Sequence, residues 1–212
     1  MEITYLGHSC FRLRSGDVSI LTDPFPDSLG LALGSPQASA VTVSNDHPNH
    51  CNWRAVSGPP RVFNGPGEYE FSGVYIEGFL TPPNPAMRQR NTAYLFEMDG
   101  LHILHLGDIA QPLSPRLQER LSVAEVLLVP VGGGCTLKLA QVVELIQALN
   151  PRIVAPMHYR LPGAQGELLE LDSFLKEMGM KAAEFQAKLN VTASSLPPET
   201  RVAPLQPQAQ PA

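Results

Sequence analysis

The sequence predicts a mixed α/β (α+β) domain. Two features carry that prediction: a first half of short β-rich runs divided by turn residues, and a second half in which strands alternate with helical spacing. Residues 3–6, 11–13 and 18–21 form a meander divided by Gly7 and by Ser15-Gly16-Asp17. Residues 41–44, 61–71, 74–80 and 92–98 extend it, and Asp99-Gly100 is a hairpin signal leading into 101–106. After Asp108 the period changes. Leu117 and Leu121, then Leu139, Val142, Val143, Ile146 and Leu149, sit at helical spacing on either side of the apolar run 126–131. Asn150-Pro151 stops the second helix, 153–157 reads as a buried strand, and 168–178 reads as an amphipathic helix ended by Gly179.

At 212 residues, 43% apolar and 17% charged, the chain has the composition of a folded domain rather than a disordered one. A net charge of −5 without a long basic run gives no footprint for nucleic acid, which is not expected as a partner. The opening residues alternate polar and apolar, with Arg12 and Arg14 interrupting, so neither a signal-peptide core nor a membrane span is expected. Cys10, Cys51 and Cys135 are far apart and lack CxxC spacing. That pattern argues against a disulfide framework or a cysteine zinc site, and for a reducing cytoplasm. Residues 1–193 read as one domain, and the Pro-, Gln- and Ala-rich stretch 194–212 as a disordered or loosely attached tail. A homo-oligomer is compatible with all of this.

Three of the histidines, His47, His50 and His158, directly follow predicted strands, where a rigid sheet can direct loop side chains at a common point. His47-Pro48-Asn49-His50 puts two imidazoles in one short loop, and Gly107-Asp108 ends a strand with a carboxylate. Those are the donors of a zinc or iron site. The plainer alternatives are a loop brace for Asp108, solvent-facing histidines at 47 and 50, and a satisfied core histidine at 158. Cys10 and Cys51 neighbour histidines, which raises a cysteine-nucleophile reading, although sequence adjacency is not the geometry such a pair needs. Gly132-Gly133-Gly134 matches no phosphate-loop pattern and reads as a flexible turn at the pocket's border.

The segment Val43-Ser44-Asn45-Asp46-His47-Pro48-Asn49-His50 resembles the His-x-His-x-Asp-His signature of the metallo-β-lactamase superfamily. His105-Leu106-Gly107-Asp108 resembles the strand end bearing that family's bridging aspartate, and Pro156-Met157-His158-Tyr159 its final histidine position. Gly7-His8-Ser9-Cys10-Phe11, Thr22-Asp23-Pro24-Phe25 and Val129-Pro130-Val131-Gly132-Gly133 are similar to the branch that includes ascorbate-phosphate-lactonase-like proteins. The resemblance implies a four-layer αββα sandwich of two mixed sheets flanked by helices, with the site on loops at one edge. It implies His47, His50, Asp108 and His158 as metal ligands. Asn45 stands at the first histidine position, Asn49 at the aspartate position, and no histidine lies between His50 and His102 to fill a further one.

An amide oxygen is a weak donor for a borderline-soft ion, so the first of two metal positions is expected to be empty. The second keeps His50, His158 and Asp108 with an open coordination position. The implied protein binds one divalent metal, zinc foremost, with manganese or iron as alternatives, or is metal-free. The implied activity is hydrolysis of an ester, lactone or phosphate-bearing small molecule through a metal-activated water. In that scheme Asp108 and Asn49 are the catalytic candidates, with Asn49 placing the water, and His8, Asp23 and Tyr159 are orienting or substrate-contacting residues. The alternatives are a catalytically silent member that binds a metabolite or partner in the old pocket, and a cysteine-based hydrolase using Cys10 or Cys51.

Overall fold

A computed structural model of the chain describes residues 1–85 and 89–212. In chain order the elements are β1 (Glu2–Gly7), β2 (Cys10–Ser15), β3 (Val18–Thr22), β4 (Leu31–Ala32), β5 (Ala40–Val43), β6 (Arg61–Asn64), β7 (Gly67–Phe71), β8 (Val74–Leu80), β9 (Thr92–Met98) and β10 (Leu101–His105). They continue with α1 (Pro115–Leu121), β11 (Val126–Pro130), α2 (Leu139–Leu149), β12 (Ile153–Met157), α3 (Leu171–Glu177), β13 (Leu189–Asn190), β14 (Arg201–Val202) and β15 (Gln210–Pro211). The first large sheet runs β13-β1-β2-β3-β5-β6 and the second β14-β12-β11-β10-β9-β8-β7, while β15 pairs with β4.

Both large sheets are mixed. The meander β1-β2-β3 is antiparallel and β3-β5-β6 is parallel. In the second sheet β7-β8-β9-β10 is antiparallel, whereas β10-β11-β12-β14 is parallel and crosses over through α1, α2 and α3. Strands β11 and β12 are buried along their whole length, as parallel strands covered on both faces must be. Tyr5, Phe11, Leu13, Tyr94, Phe96 and Ile103 are fully buried members of one continuous core. Each such side chain contributes about 1.5–3 kcal/mol by leaving water.

The helix ends follow local chemistry. Ser114 caps α1, its hydroxyl accepting from Leu117 N with Pro115 at the first turn, and Asn150 closes α2 in the left-handed region at φ 49°. Helix α3 starts at Leu171, three positions later than the periodicity predicts. Leu169 N donates to Gly132 O and Arg160 N to Leu169 O, so the missing turn is committed to holding a neighbouring loop.

Two further expectations are corrected. The predicted run 61–71 is two strands in different sheets, divided at Gly65-Pro66, where Gly65 takes φ 117°. Tyr94 clamps this crossing, its hydroxyl accepting from Gly65 N at 2.8 Å and donating to Val43 O at 3.0 Å. The stretch 194–212 is not a loose tail. Strand β14 adds to β12, Ala203 N donates to Val154 O, and Gln208 N and Ala209 N donate to Tyr5 O and Leu6 O. Val202, Ala203 and Leu205 are buried. Composition misleads here because a few well-spaced apolar residues and backbone donors suffice to dock an extended, proline-stiffened segment. Among the described residues, no helix is long and apolar enough to cross a membrane.

Candidate metal centre

The parallel strands deliver their C-terminal ends to one edge, where crevices in α/β sheets form. His8 follows β1, Asp23 follows β3, residues 44–50 follow β5, Asp108 follows β10, the glycine loop follows β11 and His158 follows β12. Three of these residues, His8, Asp23 and His158, take positive φ values of 52°, 39° and 52°. Such backbone strain is held only where the surroundings over-determine it, and it concentrates at functional sites. The His8 carbonyl is clamped twice, by His158 N at 2.7 Å and by the Tyr5 hydroxyl at 2.8 Å.

His50 is the hub. Its Nδ1 lies 2.8 Å from Asp23 Oδ2 and its Nε2 2.9 Å from Asp108 Oδ2. Asp23 also accepts from Ser44 N at 2.7 Å and from the Ser44 hydroxyl at 2.5 Å, which ties the signature loop to β3. Asp108 is presented by a second clamp. Asn91 Oδ1 accepts from Asp108 N at 2.8 Å while its amide nitrogen donates to Leu106 O at 2.9 Å. Gly107 is required here, because a Cβ at that position would lie 2.3 Å from Asn91 Oδ1. His158 Nε2 stands 3.4 Å from Asp108 Oδ1 without forming a hydrogen bond to it.

Electrostatics divides the imidazoles. Burial works to lower the His50 pKa, but the Asp108 and Asp23 carboxylates outweigh it and push it up to about 10. Burial, reinforced by neighbouring imidazoles, lowers His8 and His158 and favours their neutral forms. Burial tends to raise Asp108, yet the His50 charge and its hydrogen bond hold the carboxyl well below the usual carboxylate range. In His8 and His158 these are the forms that bind a metal, and His50 would release a proton on joining them.

Two overlapping donor sets result among the described residues. The ring nitrogens of His8, His50 and His158 lie within 4.8 Å of one another, and so do donor atoms of Asp108, Cys135 and His158. His8 Nδ1, His158 Nδ1 and Asp108 Oδ1 are buried without a hydrogen-bond partner. Unpaired buried groups of this kind cost about 1–3 kcal/mol each, and a cation among them would remove that cost. By this test the residues fit a divalent ion.

Of the residues singled out from the sequence, the structure brings His50, Asp108 and His158 together and adds His8 at ring distances of 4.8 and 4.5 Å from His50 and His158. His47 is in neither donor set, its ring is 6.2 Å from that of His50, and its Nδ1 accepts from Asn49 N at 3.2 Å. Asn45 is buried and engaged as a brace: its Oδ1 accepts from His47 N at 3.0 Å and Gln89 Nε2 at 2.9 Å, and its Nδ2 donates to Ser44 Oγ at 3.1 Å. Asn49 is half-buried on the same loop. Tyr159 packs against Tyr5 at 6.1 Å and is in neither set. His105 is a core residue bonded to Ser9 O. Cys10 is fully buried, and burial raises its pKa well above the usual thiol range, with Asp23 adding to the effect, so it is no nucleophile.

Sequence reasoning missed Cys135 and placed His8 at the margin. The one signal available was position: each follows a strand and a glycine, Gly7 for His8 and Gly132-Gly133-Gly134 for Cys135.

A family model described as the β-lactamase superfamily domain matches residues 2–158. A UPF0173 protein of Pyrococcus furiosus is 28% identical over 75% of this chain and 83% of its own length. A UPF0173 metal-dependent hydrolase of Pelotomaculum thermopropionicum is also 28% identical, over 75% of this chain and 84% of that protein. A solved structure from Thermotoga maritima, described as a Zn-dependent hydrolase of the metallo-β-lactamase superfamily, has 33% identity and a TM-score of 0.81, covering 98% of this chain and 99% of that one. With a signature loop after β5, a carboxylate after β10 and a histidine after β12, this chain belongs to the metallo-β-lactamase superfamily, among relatives that are metal-dependent hydrolases.

Proposed function

We propose that the chain is a metal-dependent hydrolase of small molecules that works with one divalent ion. The observation that carries this reading is the convergence of His50, Asp108 and His158 from three separate loops, with unpartnered buried atoms on Asp108 and His158. Those residues would hold the ion, with His8 against them. Bound there, a divalent ion would supply Lewis acidity and lower the pKa of a coordinated water.

The protein's own groups set the rest. Asp23, at His50 Nδ1, fixes the ring so that Nε2 faces the centre. Asp108 offers a free oxygen, but as a ligand of the ion it would be a weak proton acceptor. Asn49, where the family carries a carboxylate, can orient a substrate oxygen or a water and cannot take its proton. Slow turnover follows from that pair.

Asn84 and Arg90 line both the narrow polar cavity containing Asp108 and an adjoining, more apolar groove of about 360 Å³ bordered by Leu80, Pro83 and Pro85. A guanidinium beside an apolar wall supports a small ester, lactone or phosphate-bearing substrate. The test is hydrolysis of a panel of such compounds by zinc-loaded protein. The expected result is turnover that a chelator abolishes and Asp108→Ala lacks. Chelator-insensitive turnover, or none from loaded protein, would sink the proposal. The saturated amide of Asn45 favours a second reading, a silent member that only binds a metabolite, and that reading predicts ligand binding without turnover in the same panel.

A further inference from the structure

We infer that Cys135 is a sulfur ligand of the ion held by Asp108 and His158. The inference rests on the metal-dependent reading above and adds a donor that lies outside the histidine and aspartate motifs.

A ring nitrogen of His158, a carboxylate oxygen of Asp108 and the sulfur of Cys135 lie within 4.8 Å of one another. That proximity does not stand alone, since buried Asp108 Oδ1 has no hydrogen-bond partner among the described residues, and His158 Nε2, on a residue only 4% exposed, stands 3.4 Å from it without bonding to it. Two orphaned polar atoms next to a half-buried thiol make a poor resting arrangement. One cation would satisfy Asp108 Oδ1, the ring nitrogen of His158 that faces it and the thiol together.

The backbone places the thiol there by construction. Gly132 passes so close to His158 that a Cβ would stand 2.0 Å from His158 O, which pins the loop to the histidine's own backbone. Gly133 and Gly134, which lead into Cys135, take φ values of 68° and 66°, conformations that glycine adopts without penalty. Thr136 N and Thr136 Oγ1 both donate to Gly133 O, and Asn84 Nδ2 donates to Cys135 O at 2.9 Å.

On binding, the thiol releases its proton to solvent and donates a sulfur lone pair to the ion, and no electron changes hands. A donor set of imidazole, carboxylate and thiolate is softer than the family signature lost from loop 44–50. It selects zinc or cobalt over manganese and magnesium. The other thiols do not compete, because Cys10 is sealed in the core and the Cys51 sulfur rests on Asp46 O.

The test uses the full chain loaded with cobalt(II), read by absorption spectroscopy. The wild-type protein is expected to show a near-ultraviolet sulfur-to-cobalt charge-transfer band. Cys135→Ser should lose the band while still binding cobalt, and Cys51→Ser should keep it. Alkylation of wild-type Cys135 by iodoacetamide, mapped by mass spectrometry, gives a readout independent of variant folding, with protection by zinc expected. Bound cobalt without the band, a band that survives Cys135→Ser, or alkylation unaffected by zinc overturns the assignment and leaves the metal-dependent reading in place. A protein that takes up no metal overturns both.

Discussion

Loop 44–50 and loop 132–135 border one cavity and treat their polar groups in opposite ways. In the first, Asn45 accepts from its own loop and from Gln89, and His47 accepts from Asn49, so the signature segment has become an internal brace. In the second, the glycines carry no side chain and press the backbone against His158, leaving the Cys135 thiol beside Asp108. One loop spends its polar groups on itself, while the other carries a thiol to within 4.8 Å of a carboxylate oxygen of Asp108. A degenerate motif reports on its own loop, whereas the site is a property of the whole sheet edge.

The largest effect should come from breaking the second loop. Gly132→Ala forces a Cβ into His158 O, and we expect a loss of about 3 kcal/mol or more in chemical denaturation, together with lost metal binding. A near-neutral result would mean the close approach is not what fixes the loop. Next comes Asp23→Asn, which alters the partner of His50 Nδ1 and should weaken metal affinity by about 10-fold to 100-fold in a competition titration. The smallest effect belongs to the brace. Replacing Asn45 with His and Asn49 with Asp together removes the Gln89 contact and should cost about 1 kcal/mol without raising the bound metal. A second equivalent of metal in that variant would show that loop 44–50 can present metal donors and is not committed to bracing itself.

Much of this was legible in the residues. Periodicity and turn chemistry marked most strands and the three α-helices of the described residues, because each rests on local spacing. His50, Asp108 and His158 could be picked out as candidates because each lies in a loop that follows a strand. The union of His8 with His158 could not, since their meeting depends on a carbonyl clamp between residues at opposite ends of the sequence. Cys135 escaped for a related reason: a spacing rule asks for a second cysteine nearby, and its partners are a carboxylate and an imidazole on other strands. The docked stretch 194–212 shows the same limit, as its hydrogen bonds go to β1 and β12.

The most direct test of the central claim is the metal content of protein purified without added metal, compared with its Asp108→Ala variant by elemental mass spectrometry. About one bound ion per chain, zinc foremost, is expected, with its loss in the variant while the fold is retained. A metal-free protein of unchanged stability, or an ion count indifferent to Asp108, would contradict it.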